Sequence, residues 1–262
     1  MILSIVIIAH NEEANIGRAL DSVQRLVADG KGEIIVVDSG SSDRTVEIAK
    51  SQGAQVFVEE WKGFAAQKNS AIDKAAGEWI LSLDADEELE YQLATEIHDL
   101  LSTKECAGAA SIAGYWIPRK NEFLGRWIKH GGFWPDPKLR LFKRGTARFE
   151  DRLVHEDVKL IEGTARHLEN ALLHHSYPTI ADYLDHMNRY SSLGAEMVVA
   201  KGRVRFGAFN IVARPLATFI YNYFFRLGFL DGREGLLLHL YHAVYVSWKY
   251  SKAWELGRLN KF

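Results

Sequence analysis

Ile34-Ile35-Val36-Val37-Asp38-Ser39-Gly40-Ser41-Ser42-Asp43-Arg44-Thr45 joins four β-branched residues to an acidic side chain, then to a turn of serine and glycine, then to the start of a helical pattern. A short run that is apolar on both faces reads as a strand covered on both sides. Strand, turn and helix in that order are the unit of a parallel sheet with helices on either face. The unit recurs on each side of it. Residues 5–9 are an expected strand, and Ile16, Leu20, Val23 and Val27 follow at helical spacing behind Asn11, which is expected to cap that helix. Residues 56–58 are a third strand, residues 64–75 a helix and residues 79–83 a fourth strand. Such sheets bind ligands beyond the carboxyl ends of their strands, where Asp38 and Asp84 both lie.

The length of 262 residues, 47% of them apolar, suits one catalytic domain with a helical appendage. A formal net charge of −2 gives no case for nucleic acid as a partner. The single cysteine, Cys106, cannot form an intramolecular disulfide, and no paired spacing suits zinc, so a reducing cytoplasm is expected. Residues 1–9 lack a basic leader and a small-residue cleavage site and are expected to be a buried first strand, not a signal peptide. No segment reaches the ~18–20 uncharged apolar residues of a spanning helix.

After an expected helix over residues 90–101 the pattern changes. Residues 114–163 are rich in aromatic residues, glycine and proline, with expected strands at 115–118 and 139–142, as suits an acceptor-side region of loops and short strands. Beyond Ile180 the chain is expected to be helical to its end.

The strongest chemical signal is Leu81-Ser82-Leu83-Asp84-Ala85-Asp86-Glu87, two aspartates one residue apart at the end of a buried strand. Hard cations such as Mg2+ or Mn2+ bind through one or two carboxylates plus substrate phosphates and water. Asp84 and Asp86 supply that number, and a metal there would offset charge growing on a departing diphosphate. The plainer alternative is a pair of acids opening the next helix.

Three segments, in order, settle the context: Ala9-His10-Asn11-Glu12, Asp38-Ser39-Gly40-Ser41-Ser42-Asp43, and the Asp84–Asp86 corner. Together they resemble the family 2 glycosyltransferases with the GT-A fold, a Rossmann-like, mostly parallel α/β sheet. The resemblance implies a nucleotide-sugar donor, UDP-linked, and a divalent metal. It implies that Ala9, Glu12 and Asp38 hold the base and ribose, with Asn11, Ser39, Gly40 and Ala85 in the same site, and that Lys68 approaches the diphosphate. An acidic side chain accepts hydrogen bonds from a uracil N–H or a ribose hydroxyl, and a glycine lets the backbone come close. Ser42 or Asp43 is also expected to cap the following helix. Lys68 as a solvated helix lysine is the alternative.

The second half carries Phe133-Trp134-Pro135-Asp136-Pro137-Lys138-Leu139-Arg140-Leu141-Phe142, then Leu153-Val154-His155-Glu156, then His174-His175-Ser176-Tyr177-Pro178. These segments look like the branch that includes lipopolysaccharide core glucosyltransferases. The resemblance makes Glu156 the general base, with Glu150-Asp151 as the competing pair, and lets His155 or His174 add an imidazole to the metal or orient the base. Arg140 is expected to contact diphosphate or an anionic acceptor; an ordinary ion pair is its alternative.

Residues 1–178 are thus the expected catalytic domain, with 1–101 binding the nucleotide sugar and 102–178 facing the acceptor, and residues 179–262 a helical extension. That extension mixes Phe209, Phe219, Tyr221, Phe224 and Phe225 with Arg203, Arg205, Arg214 and Arg226. Such a mixture suits the headgroup region of an anionic membrane, on its cytoplasmic face. The alternative is a hairpin packed on the core or on a second copy in a homodimer. The expected reaction is transfer of a hexose, glucose by the resemblance, with inversion to a hydroxyl of a lipid-linked or lipopolysaccharide-core-type glycan. The nearest rival is transfer to a polyprenyl phosphate. A nucleotidyltransferase making nucleotide sugars is set aside because the first strand is not followed by a glycine-rich loop ending in lysine.

Overall fold

The computed structural model describes residues 2–102, 112–150, 157–202 and 207–259. It divides into two compact units, Met1–Arg119 with Pro137–His174, and Lys120–Asp136 with His175–Phe262.

The first unit is built on β1 (Leu3–Ala9), β2 (Gly32–Asp38), β3 (Gln55–Val58), β4 (Trp79–Asp84), β5 (Glu87–Leu89) and β6 (Ile112–Ile117). Two further strands, β7 (Arg119–Phe123) and β8 (Arg126–Trp127), lead on to β9 (Lys138–Lys143), β10 (Ala147–Phe149), β11 (Val158–Leu160), β12 (Thr164–His167) and β13 (Leu172–Tyr177). Seven of these form one sheet in the order β12-β6-β9-β4-β1-β2-β3. The run β4-β1-β2-β3 is parallel, and β9 enters antiparallel to both β4 and β6.

Alternation along β1 explains the two covered faces. Leu3, Ile5 and Ile7 join Ile16, Leu20 and Val23 of the helix α1 (Ile16–Val27) in one core. Val6, with Ile35, Val37 and Ile80, joins Ala71 and Ile72 of another helix on the opposite side. Each such side chain contributes about 1.5–3 kcal/mol of burial, so a strand apolar on both faces is held in one register. Among the described residues the helices of this unit are α1, α2 (Thr45–Ser51), α3 (Phe64–Lys74) and α4 (Tyr91–Ser102). The strand expected at 115–118 is Ile112–Ile117, and the one expected at 139–142 is Lys138–Lys143.

One local expectation fails. Asn11 does not cap α1, whose N-cap is Asn15 without a side-chain capping bond. Asn11 instead adopts a left-handed backbone, φ 56°, and its side-chain oxygen accepts from the Ser42 N–H at 2.9 Å. A bond to the neighbouring loop has displaced a local cap.

In the second unit β7 and β8 form a hairpin whose two turn residues, Leu124 and Gly125, both have positive φ, matching the twist of the flanking strands. The helices are α5 (Ile180–Ala200), α6 (Arg214–Ile220) and α7 (Gly232–Leu259). α5 starts with a reciprocal capping box between Thr179 and Asp182. α6 is flanked by π-helical turns at Phe209–Ala213 and Tyr221–Phe225. The core is Phe123, Ile128, Tyr183, Met187 and Leu238. Among the described residues no helix is long and apolar enough to cross a membrane.

Candidate active site

Parallel registers bring the acidic strand ends together. Ala9 lies beside Asp38 across β1 and β2, and Ile8 beside Asp84 across β1 and β4. Ala9, Asp38 and Asp84 therefore share one edge of the sheet, where strand carboxyl ends meet a ligand.

The two loops at that edge are tied to each other. The Asn11 N–H donates to Ser41 Oγ at 2.8 Å, Glu12 N–H to Thr45 Oγ1 at 2.7 Å and Glu13 N–H to Asp43 Oδ2 at 3.1 Å. In return the Arg44 N–H donates to Glu13 Oε2 at 2.9 Å. Asp43 Oδ1 also accepts from the Thr45 N–H at 3.0 Å, an Asx turn that leads into α2, whose N-cap is Arg44 without a side-chain capping bond, so neither Ser42 nor Asp43 is the expected N-cap. Asp38 is buried, and its oxygens accept from the N–H groups of Gly40 and Ser41, at 2.9 and 2.8 Å, and from the Ser41 hydroxyl. Its side chain thus folds back to shape the turn expected to hold the ribose. Gly40 has φ +84° with open space where a Cβ would stand, so the turn needs glycine for its backbone and leaves room above it. Ser39 hangs on β1 through its N–H to the Ala9 carbonyl, 2.9 Å.

Glu12 lies close enough to feel the second cluster. Burial raises its pKa, the Asn15 side chain opposes that, and the charges of Asp86, Asp43 and Asp84 push it up further.

That second cluster surrounds Asp84. Lys68 Nζ, on α3, stands 2.6 Å from Asp84 Oδ1, and Arg140 Nη2, on β9, stands 2.5 Å from Oδ2. The same Nη2 lies 2.6 Å from Oε1 of Glu87, which is fully buried. Glu87 Oε1 also meets Arg119 Nη1 at 3.2 Å, and its Oε2 accepts from the Asp84 N–H at 3.0 Å. The antiparallel register explains Arg140. Leu81 pairs with Leu141, so the start of β9 passes the end of β4 and puts Arg140 on the face that Ser82 and Asp84 share. Burial by itself raises the pKa of Asp84, but Arg140 and Lys68 outweigh it and hold the carboxyl well below the usual range.

Asp86 has a different neighbour. His174 Nε2 is 3.2 Å from Asp86 Oδ2, brought there because β13 pairs with β5 and sets His174 opposite Glu87. Burial pushes the Asp86 carboxyl up, His174 pulls it down, Asp84 pushes it up again, and the net shift is downward. Two donors about 2.1 Å from one hard cation, at right angles, stand about 3 Å apart. An aspartate oxygen and an imidazole nitrogen at 3.2 Å are therefore close enough that both could hold one divalent ion. Both side chains keep some exposure, 28% and 17%. Asp84, expected beside Asp86 as a ligand, has each oxygen facing a cationic side chain instead. No group of three His, Cys, Asp or Glu among the described residues could hold a metal by itself.

Lys68 and Arg140 both stand at the acidic corner, each in an ion pair with Asp84, which is the alternative stated for Arg140 and not the solvated position stated for Lys68, and Ala85 is buried between the two aspartates. Glu156, His155 and Asp151 lie outside the described residues. Glu150 sits at the end of the β10–β11 hairpin, its Oε1 3.0 Å from Lys159 Nζ. Glu87 and Arg119 carry no expected role; the signal for Glu87 is its place in the acidic run, and Arg119 has none before the strands are paired.

A model of the family described as glycosyl transferase family 2 matches residues 4–158. An uncharacterized glycosyltransferase of Rickettsia typhi is 31% identical over 265 aligned positions, covering 97% of this chain and 87% of the relative. The lipopolysaccharide core biosynthesis glycosyltransferase LpsC of Rhizobium meliloti is 29% identical over 266 positions, covering 98% and 94%. Among solved structures, the mannosyltransferase PcManGT of Pyrobaculum calidifontis, in complex with GDP-Man and Mn2+, shares the fold with a TM-score of 0.58 at 15% identity, covering 96% of this chain and 86% of that one. The α/β sheet of the first unit is accordingly a GT-A-like fold, followed by a C-terminal helical extension.

Proposed function

Since the chain belongs to glycosyl transferase family 2, we propose that it moves a hexose, glucose in the simplest case, from a UDP-sugar to a hydroxyl of a lipid-linked or lipopolysaccharide-core-type glycan, with inversion, on the cytoplasmic side of the membrane. The observation that carries this reading is the pairing of Asp86 with His174 beside a Lys68–Asp84–Arg140 bridge at the ligand edge of the sheet. The likeness to LpsC supports the acceptor class.

Asp86 and His174 would hold a divalent cation, Mg2+ or Mn2+, which would supply Lewis acidity against the charge growing on the departing diphosphate. Lys68 and Arg140, pinned through Asp84, present two fixed positive groups to the same diphosphate without a cost of reorganisation. The Asn11 loop and the Ser39–Gly40 turn receive base and ribose, with Glu12 and Asp38 beside them. Glu156 takes the acceptor proton as the new bond forms at the anomeric carbon and the bond to diphosphate breaks. The transition state is oxocarbenium-like, by analogy with glycoside chemistry.

The test is a panel of nucleotide sugars incubated with the full chain, Mn2+ or EDTA, and core-type or lipid-linked glycan acceptors, read by mass spectrometry and by NMR of the new anomeric centre. Transfer from a UDP-hexose that stops with EDTA, giving the opposite anomer, is expected. Neither transfer nor donor hydrolysis from any nucleotide sugar, with metal present, overturns the reading.

A further inference from the structure

The second unit presents an apolar face that its own fold does not cover. Val212, Leu216, Ile220 and Phe224 recur every four residues along the segment around α6, and all are exposed, from 39% to 61%. Leu236 and Leu240 repeat the spacing on α7, and Phe225, in the turn between these helices, is 74% exposed. Helices normally turn this stripe inward. Here the inward positions are already filled on α7 by Leu238, Ala243 and Val246, so the outer stripe is a second apolar surface. Contiguous exposed apolar patches of this kind mark a protein or membrane contact.

Charge chooses between the two. From residue 207 to residue 254 the acidic residues are Asp231 and Glu234. Asp231 is buried and accepts from the Lys129 and His130 N–H groups, while Glu234 faces Arg126 at 3.5 Å. Arg214, Arg226 and Arg233 are exposed around the apolar stripe, and the Arg214 and Arg226 guanidinium groups lie over the rings of Phe209 and Tyr221. A two-fold contact between copies would set this basic patch against itself and gather the arginines of both copies in one interface. An anionic bilayer offers acyl chains to the stripe and phosphate to the arginines.

We propose that this face of the second unit lies on the surface of an anionic membrane, the α6 and α7 stripes in the headgroup–acyl boundary and the arginines on lipid phosphate. The inference concerns a surface and stands apart from the transfer chemistry, so each can fail without the other.

Flotation of the full chain with phosphatidylcholine vesicles, with and without 30% phosphatidylglycerol (about one third anionic lipid), tests it. Binding to the anionic vesicles is expected to exceed binding to neutral ones by about tenfold or more at low salt, and to fall as salt rises. Leu216→Glu with Phe225→Glu, both at exposed positions, is expected to lower anionic-vesicle binding by about tenfold or more. Circular dichroism checks that this variant folds, and Arg226→Gln with Arg233→Gln provides a second variant that leaves the apolar stripe intact. A full chain that stays in solution with anionic vesicles overturns the proposal. So does a stable dimer by light scattering that the same substitutions dissociate, with no flotation in either form.

Discussion

Replacing Arg140 with leucine tests whether the acidic corner is held together by its cations. The guanidinium is 5% exposed, and its Nη2 serves Asp84 at 2.5 Å and the fully buried Glu87 at 2.6 Å. Removing one member of a buried pair costs about 3–5 kcal/mol, because the charge left behind is uncompensated. Asp84 keeps Lys68 and is 27% exposed, and Glu87 keeps Arg119 at 3.2 Å, so the lower end applies. About 3 kcal/mol lowers Tm by roughly 6–12 °C in a chain of this size. The sign with pH follows from Asp84, whose folded pKa is depressed. Such a group stabilises the fold above its unfolded pKa, ~3.9 for aspartate, and the contribution is lost as pH falls through the folded value. The variant loses one source of that depression, so the stability gap between it and the parent should be full at pH 7 and smaller at about pH 3, below the unfolded value. Calorimetry and urea titration at both pH values measure it, and Arg140→Leu combined with Asp84→Asn should recover about 1 kcal/mol or more of the loss. A variant that melts within about 2 °C of the parent at pH 7, or a gap that does not change with pH, refutes the reasoning.

Asp86→Asn and His174→Ala are each expected to weaken Mn2+ binding in the presence of UDP by about tenfold or more; titration calorimetry with UDP and Mn2+ reads it, and unchanged affinity in both removes them as ligands. Glu156→Gln is expected to lower turnover by about 100-fold or more with a hydroxyl acceptor; unchanged turnover in a transfer assay points to an acceptor already ionised, such as a polyprenyl phosphate. His239 is buried, with neither ring nitrogen hydrogen-bonded, and burial, helped by His242 and opposed by Asp231, lowers its pKa to about 4. The unfolded chain therefore binds this proton first, so stability should fall as pH drops from about 6.5 towards 4, by roughly 2–3 kcal/mol. His239→Phe should flatten that part of the curve in urea titrations across this range, and an unchanged slope counts against it.

The sheet was legible because its strands are apolar on both faces, a pattern that does not depend on what lies far away in the chain. Asp84 and Asp86 stood out for the same reason, as acids breaking such a run. Their partners were not legible in the same way. Arg140 reaches Asp84 through an antiparallel register with β4, and His174 reaches Asp86 because β13 pairs with β5, contacts set by strands more than fifty residues apart. Asn11 shows the opposite failure: its local signal, a capping residue before a helix, was real chemistry aimed elsewhere, since the amide found the Ser42 N–H across the loop. Local rules rank what a side chain prefers, and tertiary neighbours decide which preference is met.

Two aspartates one residue apart would repel each other if they met the same surroundings, and their different partners relieve this. Asp84 lies between an ammonium and a guanidinium, which neutralise it and fix two cations in place. Asp86 meets an imidazole, which shares with it the ability to bind a metal. The proposed chemistry needs that division, because positive groups for a diphosphate and a negative group for a cation must stand side by side without cancelling. Lys68 and Arg140 are occupied by Asp84, and in the proposed reaction that would leave the Asp86 carboxylate for the ion.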